Sequence, residues 1–83
     1  MKVRYFAWVR ERVGVAEEEV QPPEDVSSVA ELMAWLAARD EGYAAAFAEP
    51  GIIRAALDHD HVDHDAPLGS VREVAFFPPM TGG

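Results

Sequence analysis

Met1-Lys2-Val3-Arg4-Tyr5-Phe6-Ala7-Trp8-Val9 opens the chain, and its reading decides the fold. β-branched and aromatic residues dominate it, as in a strand. Alternation sets Val3, Tyr5 and Ala7 on one face and Arg4, Phe6 and Trp8 on the other. Apolar side chains on both faces suit a central strand, or one whose second face meets a partner. Arg10 to Gly14 is predicted to be the connection of a hairpin, with Glu17 to Gln21 as the return strand. The acidity of that return strand suits an edge, where charge discourages stray pairing, and Pro22-Pro23 stops it.

Downstream, Ser28-Val29-Ala30-Glu31 matches a capping box, and Val29, Leu32, Met33 and Leu36 follow at helical spacing. This stripe is predicted to be core. Asp40-Glu41-Gly42 ends the helix, and Tyr43 to Ala48 adds a short helical turn. Ile52 to Leu57 is a predicted strand, Asp58 to His64 a polar turn around Val62, and Val71 to Phe77 the last strand before Pro78-Pro79. The order β-β-α-β-β predicts an α+β fold with one main helix packed on one face of one mixed sheet. A β-grasp is the economical solution, with the first and last strands parallel at its centre.

Eighty-three residues support one domain, predicted over residues 1–77, with a flexible tail over 78–83. The net charge of −8 leaves no concentrated basic surface, so nucleic acid is not an expected partner. No apolar run reaches the roughly 20 residues that a bilayer requires, and the opening lacks a signal peptide's order. A cytoplasmic protein with no membrane partner is the expectation. The absence of cysteine excludes disulfides, thiolate-bound zinc and a thiol nucleophile.

Catalytic constellations are scarce, with no Gly-rich phosphate loop, HExxH pattern or credible Ser-His-Asp set. Asp58 to Asp65 interleaves His59, His61 and His64 with four carboxylates. Such groups suit divalent metals, but an Asp-dense turn is also the ordinary way to solubilise a loop. No metal site is assigned; the loop is read as a pH-sensitive surface. The tail is the sharper signal. Pro78 to Gly83 can reach about 20 Å at roughly 3.3–3.6 Å per residue. Two prolines stiffen its base, and two glycines give a tip thin enough for a channel that excludes any Cβ.

Glu73-Val74-Ala75-Phe76-Phe77-Pro78-Pro79-Met80-Thr81-Gly82-Gly83 resembles the terminal signature of the molybdopterin synthase small-subunit family of ubiquitin-like sulfur carriers. Val3-Arg4-Tyr5-Phe6-Ala7, Val9-Arg10-Glu11, Val13-Gly14 and Ala66-Pro67-Leu68 resemble the same family's opening strand and later turn. The resemblance implies a β-grasp and a carrier whose Gly83 carboxylate is adenylated by an ATP-dependent enzyme and then converted to a thiocarboxylate by a sulfur donor. Inside the large subunit of the synthase, that sulfur would attack cyclic pyranopterin monophosphate. The chain would thus be the sulfur-donating subunit of a two-subunit sulfurtransferase, inactive alone. It would bind no permanent cofactor, ATP being consumed by the activating partner.

Residue by residue, the resemblance makes Gly83 the covalent carrier and Gly82 its slim approach. Thr81, Met80, Pro79 and Pro78 would line the tail's path, and Phe77, Phe6 and, more weakly, Arg10 would contact the partner. Asp58-His59 stands where the family has an Asn-led turn, His61 replaces an apolar interface position, and Met80 replaces a valine. Carriers for thiamine or tRNA thiolation share the terminal Gly-Gly, as do ubiquitin-like modifiers, while a metal-binding module on the histidine loop is a further alternative. The Phe-Phe-Pro-Pro-x-Thr run favours the synthase subunit.

Overall fold

A computed structural model of the chain describes residues 1–79. Five strands form one sheet in the order β2-β1-β5-β3-β4, with β1 (Lys2–Tyr5), β2 (Glu17–Glu19), β3 (Arg54–Leu57), β4 (Asp60–Val62) and β5 (Glu73–Phe77). β1 and β5 run parallel, Val3 facing Val74 and Tyr5 facing Phe76, and the other pairings are antiparallel. This is the predicted β-grasp sheet. Val3, Tyr5, Val74 and Phe76 are fully buried beneath the helices, while their alternating neighbours face the opposite side.

The first hairpin departs from expectation. β1 stops at Tyr5, and the predicted connection is a helix, α1 (Ala7–Val13). Phe6 is still extended, but Ala7 takes φ 53° and turns the chain out of the sheet. Trp8 and Val9 therefore leave the strand alternation, and Val9 becomes a fully buried residue of the helix. Gly14, at φ 100°, ends α1 in the left-handed region, its N–H donating to the Arg10 carbonyl at 2.8 Å. Propensity for extension loses here to packing against the helical layer.

The main helix, α2 (Val29–Ala37), buries Val29, Leu32, Met33 and Leu36 as the spacing requires. Ser28 Oγ accepts from the Glu31 N–H at 3.2 Å, and Glu31 Oε1 accepts from both the N–H and the hydroxyl of Ser27. The box therefore closes one residue earlier than the simple pattern. Asp40 caps α3 (Glu41–Ala46), accepting from the Gly42 and Tyr43 N–H groups, so the trio read as a stop also starts a helix. A 3-10 turn over Pro50–Ile52 delays β3 to Arg54, and β5 begins at Glu73 rather than Val71.

Across the top of the core, Tyr5 meets Tyr43 and Phe47 edge-on at 6.4 Å, and Phe47 meets Phe76 at 5.1 Å. Glu18 on edge strand β2 accepts from Tyr5 Oη at 2.8 Å, Tyr43 Oη at 2.6 Å and Arg39 Nη1 at 3.2 Å. One carboxylate thus ties the sheet edge to the helices.

Candidate functional site

The helices cover one sheet face, and the other is open. Register decides what that open face carries. Arg4 is paired with Ala75, Ala75 with Ala56, and Ala56 with His61, making one row across β1, β5, β3 and β4. The two alanines form a low floor between longer side chains. The resulting groove, of about 440 Å³, is bounded by Phe6, Phe77, Pro78 and Pro79 at the end where the chain leaves the sheet. Phe6 is 40% exposed, and its N–H donates to the Phe76 carbonyl at 3.1 Å. That bond holds Phe6 beside the final strand.

The rest of the rim is polar. Arg4 lies over the Phe6 ring at 5.4 Å and reaches Glu73 at 3.8 Å. His59 also approaches Glu73 at 3.8 Å, and the His61 ring centroid stands 5.2 Å from that of Phe77. Asp58-His59 is a two-residue turn with φ of 47° and 75°, joining β3 to β4. The predicted polar loop of Asp58 to His64 therefore contains a three-residue strand, β4, and the turn that joins it to β3 is only two residues long. Asp58 Oδ1 accepts from the Arg72 and Glu73 N–H groups at 3.0 and 2.9 Å and fastens the turn to β5.

Of the residues singled out in the sequence, Phe6, Phe77, Pro78 and Pro79 come together around this groove. Arg10 lies exposed on α1 and is not part of its lining. Met80, Thr81, Gly82 and Gly83 lie outside the described residues. The three imidazoles diverge: His59 points to Glu73, His61 lies by Phe77, and His64 Nε2 donates to the Ile53 carbonyl at 2.6 Å. Among the described residues no three His, Asp or Glu side chains converge as a metal site. Ala56, Ala75 and Arg4 escaped the sequence reading, because their placement depends on pairing between distant strands. The available signal was the run of small residues in β3 beside a β5 that alternates Val74, Ala75 and Phe76.

A family model described as ThiS family matches residues 3–83. The chain belongs to that family. The molybdopterin synthase sulfur carrier subunit of Escherichia coli K12 is 43% identical over 83 residues, covering 100% of this chain and 99% of the relative. The subunit of the same name from Haemophilus influenzae is 30% identical over the same span and shares. A solved structure from Pyrococcus furiosus, described as molybdopterin converting factor, subunit 1, superposes with a TM-score of 0.73 at 31% identity, covering 94% of each chain. SAMP1 from Haloferax volcanii gives a TM-score of 0.72 at 20% identity, covering 100% of this chain and 98% of that one, a likeness of fold.

Proposed function

We propose that this chain is the sulfur carrier subunit of molybdopterin synthase, acting through its Gly83 carboxylate. The observation that carries the reading is the exit of β5: Phe77, Pro78 and Pro79 leave the sheet along an apolar open face. A partner that grips this face holds the strand from which the terminus follows. Full-length identity of 43% to a subunit of that name supports the assignment.

A carboxylate oxygen of Gly83 attacks the α-phosphorus of ATP in an adenylating enzyme, and pyrophosphate leaves. Hydrosulfide released by the sulfur donor then attacks the acyl carbon and displaces AMP, giving a thiocarboxylate and a proton. Cysteine is absent from the chain, so no thiol of its own competes for the activated acyl group. The loaded tail enters the large subunit, where sulfur attacks a side-chain carbon of cyclic pyranopterin monophosphate and displaces an oxygen substituent. Water then cleaves the acyl–sulfur bond, returning the Gly83 carboxylate and leaving sulfur on the pterin; two such transfers build the dithiolene. Basic groups for the phosphorylated pterin come from the partner, because this chain carries −8 and has Lys2 as its one lysine. Its own groups position the reaction: β5 aims the tail, and Phe6 and Phe77 seat the large subunit.

Intact mass after incubation with the adenylating enzyme, ATP and a sulfur source tests the proposal. One oxygen-to-sulfur exchange at the terminus is expected, and deleting Gly83 should abolish both the exchange and molybdopterin formation. An unchanged mass, or isopeptide adducts on other proteins in place of the exchange, would overturn it.

A further inference from the structure

The open sheet face is balanced in charge although the chain is not. By strand alternation, the charged strand residues on it are Lys2, Arg4 and Arg54 against Glu17, Glu19 and Glu73, in a chain of net charge −8. A second copy therefore meets less repulsion at this face than the net charge would impose elsewhere. Between the charges lies the Ala56–Ala75 floor, with the exposed Phe6 at its end. An apolar centre inside a charged rim is the make-up of an interface.

The face is also complementary to itself. β5 is the middle strand of the five, so a two-fold axis along it lays β1 over β3 of the second copy and β2 over its β4. Register then decides what meets. Arg4 and Ala56 flank Ala75 on either side, so Arg4 of one copy falls onto the low Ala56 floor of the other. One strand further out, Glu17 falls opposite His61. Lys2 and Asp58 flank Glu73 in the same way and come together as opposite charges. Phe6 and Arg54 flank Phe77, which brings a guanidinium to an exposed ring. On the axis, Ala75 meets Ala75 and Phe77 meets Phe77, while each Glu73 keeps Arg4 and His59 of its own copy at 3.8 Å. A two-fold across the strands would instead set Arg4 on Arg4 and His61 on His61.

We propose that the chain, when no other partner holds it, pairs with a second copy through this face and so covers its own groove, sheet on sheet with the two β5 strands on the axis. Five strands about 4.8 Å apart, each exposing roughly 15 Å of its length, give a footprint of roughly 300 Å² per copy in projection. A standard stable interface takes about 800 Å² from each partner. The dimer is therefore a transient one that forms at high concentration and yields to a larger partner. The pairing stands apart from the carrier reading; its displacement by the large subunit rests on that reading.

Analytical ultracentrifugation of the purified chain from about 10 μM to about 1 mM tests this, the range in which so small an interface associates. The average mass should climb from one chain toward two. A75R, which sets two guanidinium groups on the axis, should stay monomeric throughout. H61E, which sets a carboxylate against Glu17, should weaken association about fivefold, and E17K/H61E, with the two charges exchanged, should recover most of it. Circular dichroism establishes that each variant is folded, and H61E with its rescue carries the test if A75R is not. A wild type that stays monomeric at the highest concentration would overturn the proposal. So would association that A75R leaves unchanged, or an H61E loss that E17K does not repair. One equivalent of the large subunit should dissolve the dimer; a dimer that persists on the bound carrier would place the pairing on another face and overturn it. A dimer with no large-subunit binding at all would overturn the displacement and the docking reading together, and sulfur loading of the terminus, read by mass, reports separately on the carrier assignment.

Discussion

A methyl group on Gly42 would sit 2.7 Å from the Arg12 carbonyl oxygen, so α3 lies against the end of α1 at a distance that only glycine permits. The obstacle is backbone and cannot swing aside. Gly42→Ala is expected to cost about 1–3 kcal/mol, the usual range for forced overpacking, in spite of alanine's better helix propensity. Chemical denaturation measures it. Loss of less than 0.5 kcal/mol would mean the two helices are free to separate.

Glu18 predicts acid sensitivity. Burial alone would raise its pKa, but hydrogen bonds from Tyr43 and Tyr5 and the Arg39 guanidinium outweigh that and hold it below the ordinary glutamate range. A depressed folded-state pKa contributes stability that is present above the unfolded value near 4.5 and lost as pH falls through the folded one. Glu18→Gln should therefore destabilise the protein by about 1–2 kcal/mol at pH 7, with the gap to wild type closing between about pH 5 and 3. Melting curves across that window check it. On the alkaline side, burial and the bond to Glu18 push Tyr43 up to about 12 and raise Tyr5 further. Raised values reverse the sign, so the tyrosines' contribution is present below the unfolded value near 10 and lost above it.

The turn residue His59 holds φ at 75°, a conformation that costs an L-residue roughly 1–2 kcal/mol and glycine almost nothing. His59→Gly should stabilise the fold by about 0.5–1 kcal/mol after the added freedom of the unfolded chain is counted. A lowered midpoint in urea would show that the approach of His59 to Glu73 outweighs the relief.

Phe77 bounds the open-face groove, and its alternation along β5 sets it on the open side, away from the buried Phe76. Phe77→Ala is expected to weaken large-subunit binding by about 2 kcal/mol or more, the range of an aromatic hot spot. Its effect on melting should be the smaller of the two. Equal affinity with a large drop in melting temperature would assign the ring to stability.

How much of this was legible in the sequence follows from the range of the interactions involved. The α2 stripe, the acidic edge strand and the closing strand are local patterns, and each forms within the stretch its spacing marked, the two strands two residues shorter than predicted. α1 was hidden because Ala7-Trp8-Val9 continues the strand alternation, with no glycine or proline to mark the left-handed turn at Ala7. β4 was hidden for the opposite reason: as an edge strand it needs only Val62 on the core side, and the rest of it looks like solvated loop. Phe6, Phe77 and the prolines were singled out through the resemblance of the terminal and opening motifs, and they line one end of the groove. The Ala56–Ala75 floor required the β3–β5 register, which no local pattern contains.

The parallel pairing of β1 with β5 also bears on synthesis. Among the five described strands, β1 must wait for β5, the last of them in chain order, before its central parallel pairing can form. β5 also carries Phe77 and leads into the diproline that bounds the open-face groove. A chain cut short before Glu73 consequently lacks both its central strand and that end of the groove, so the open face cannot be assembled ahead of the fold that backs it.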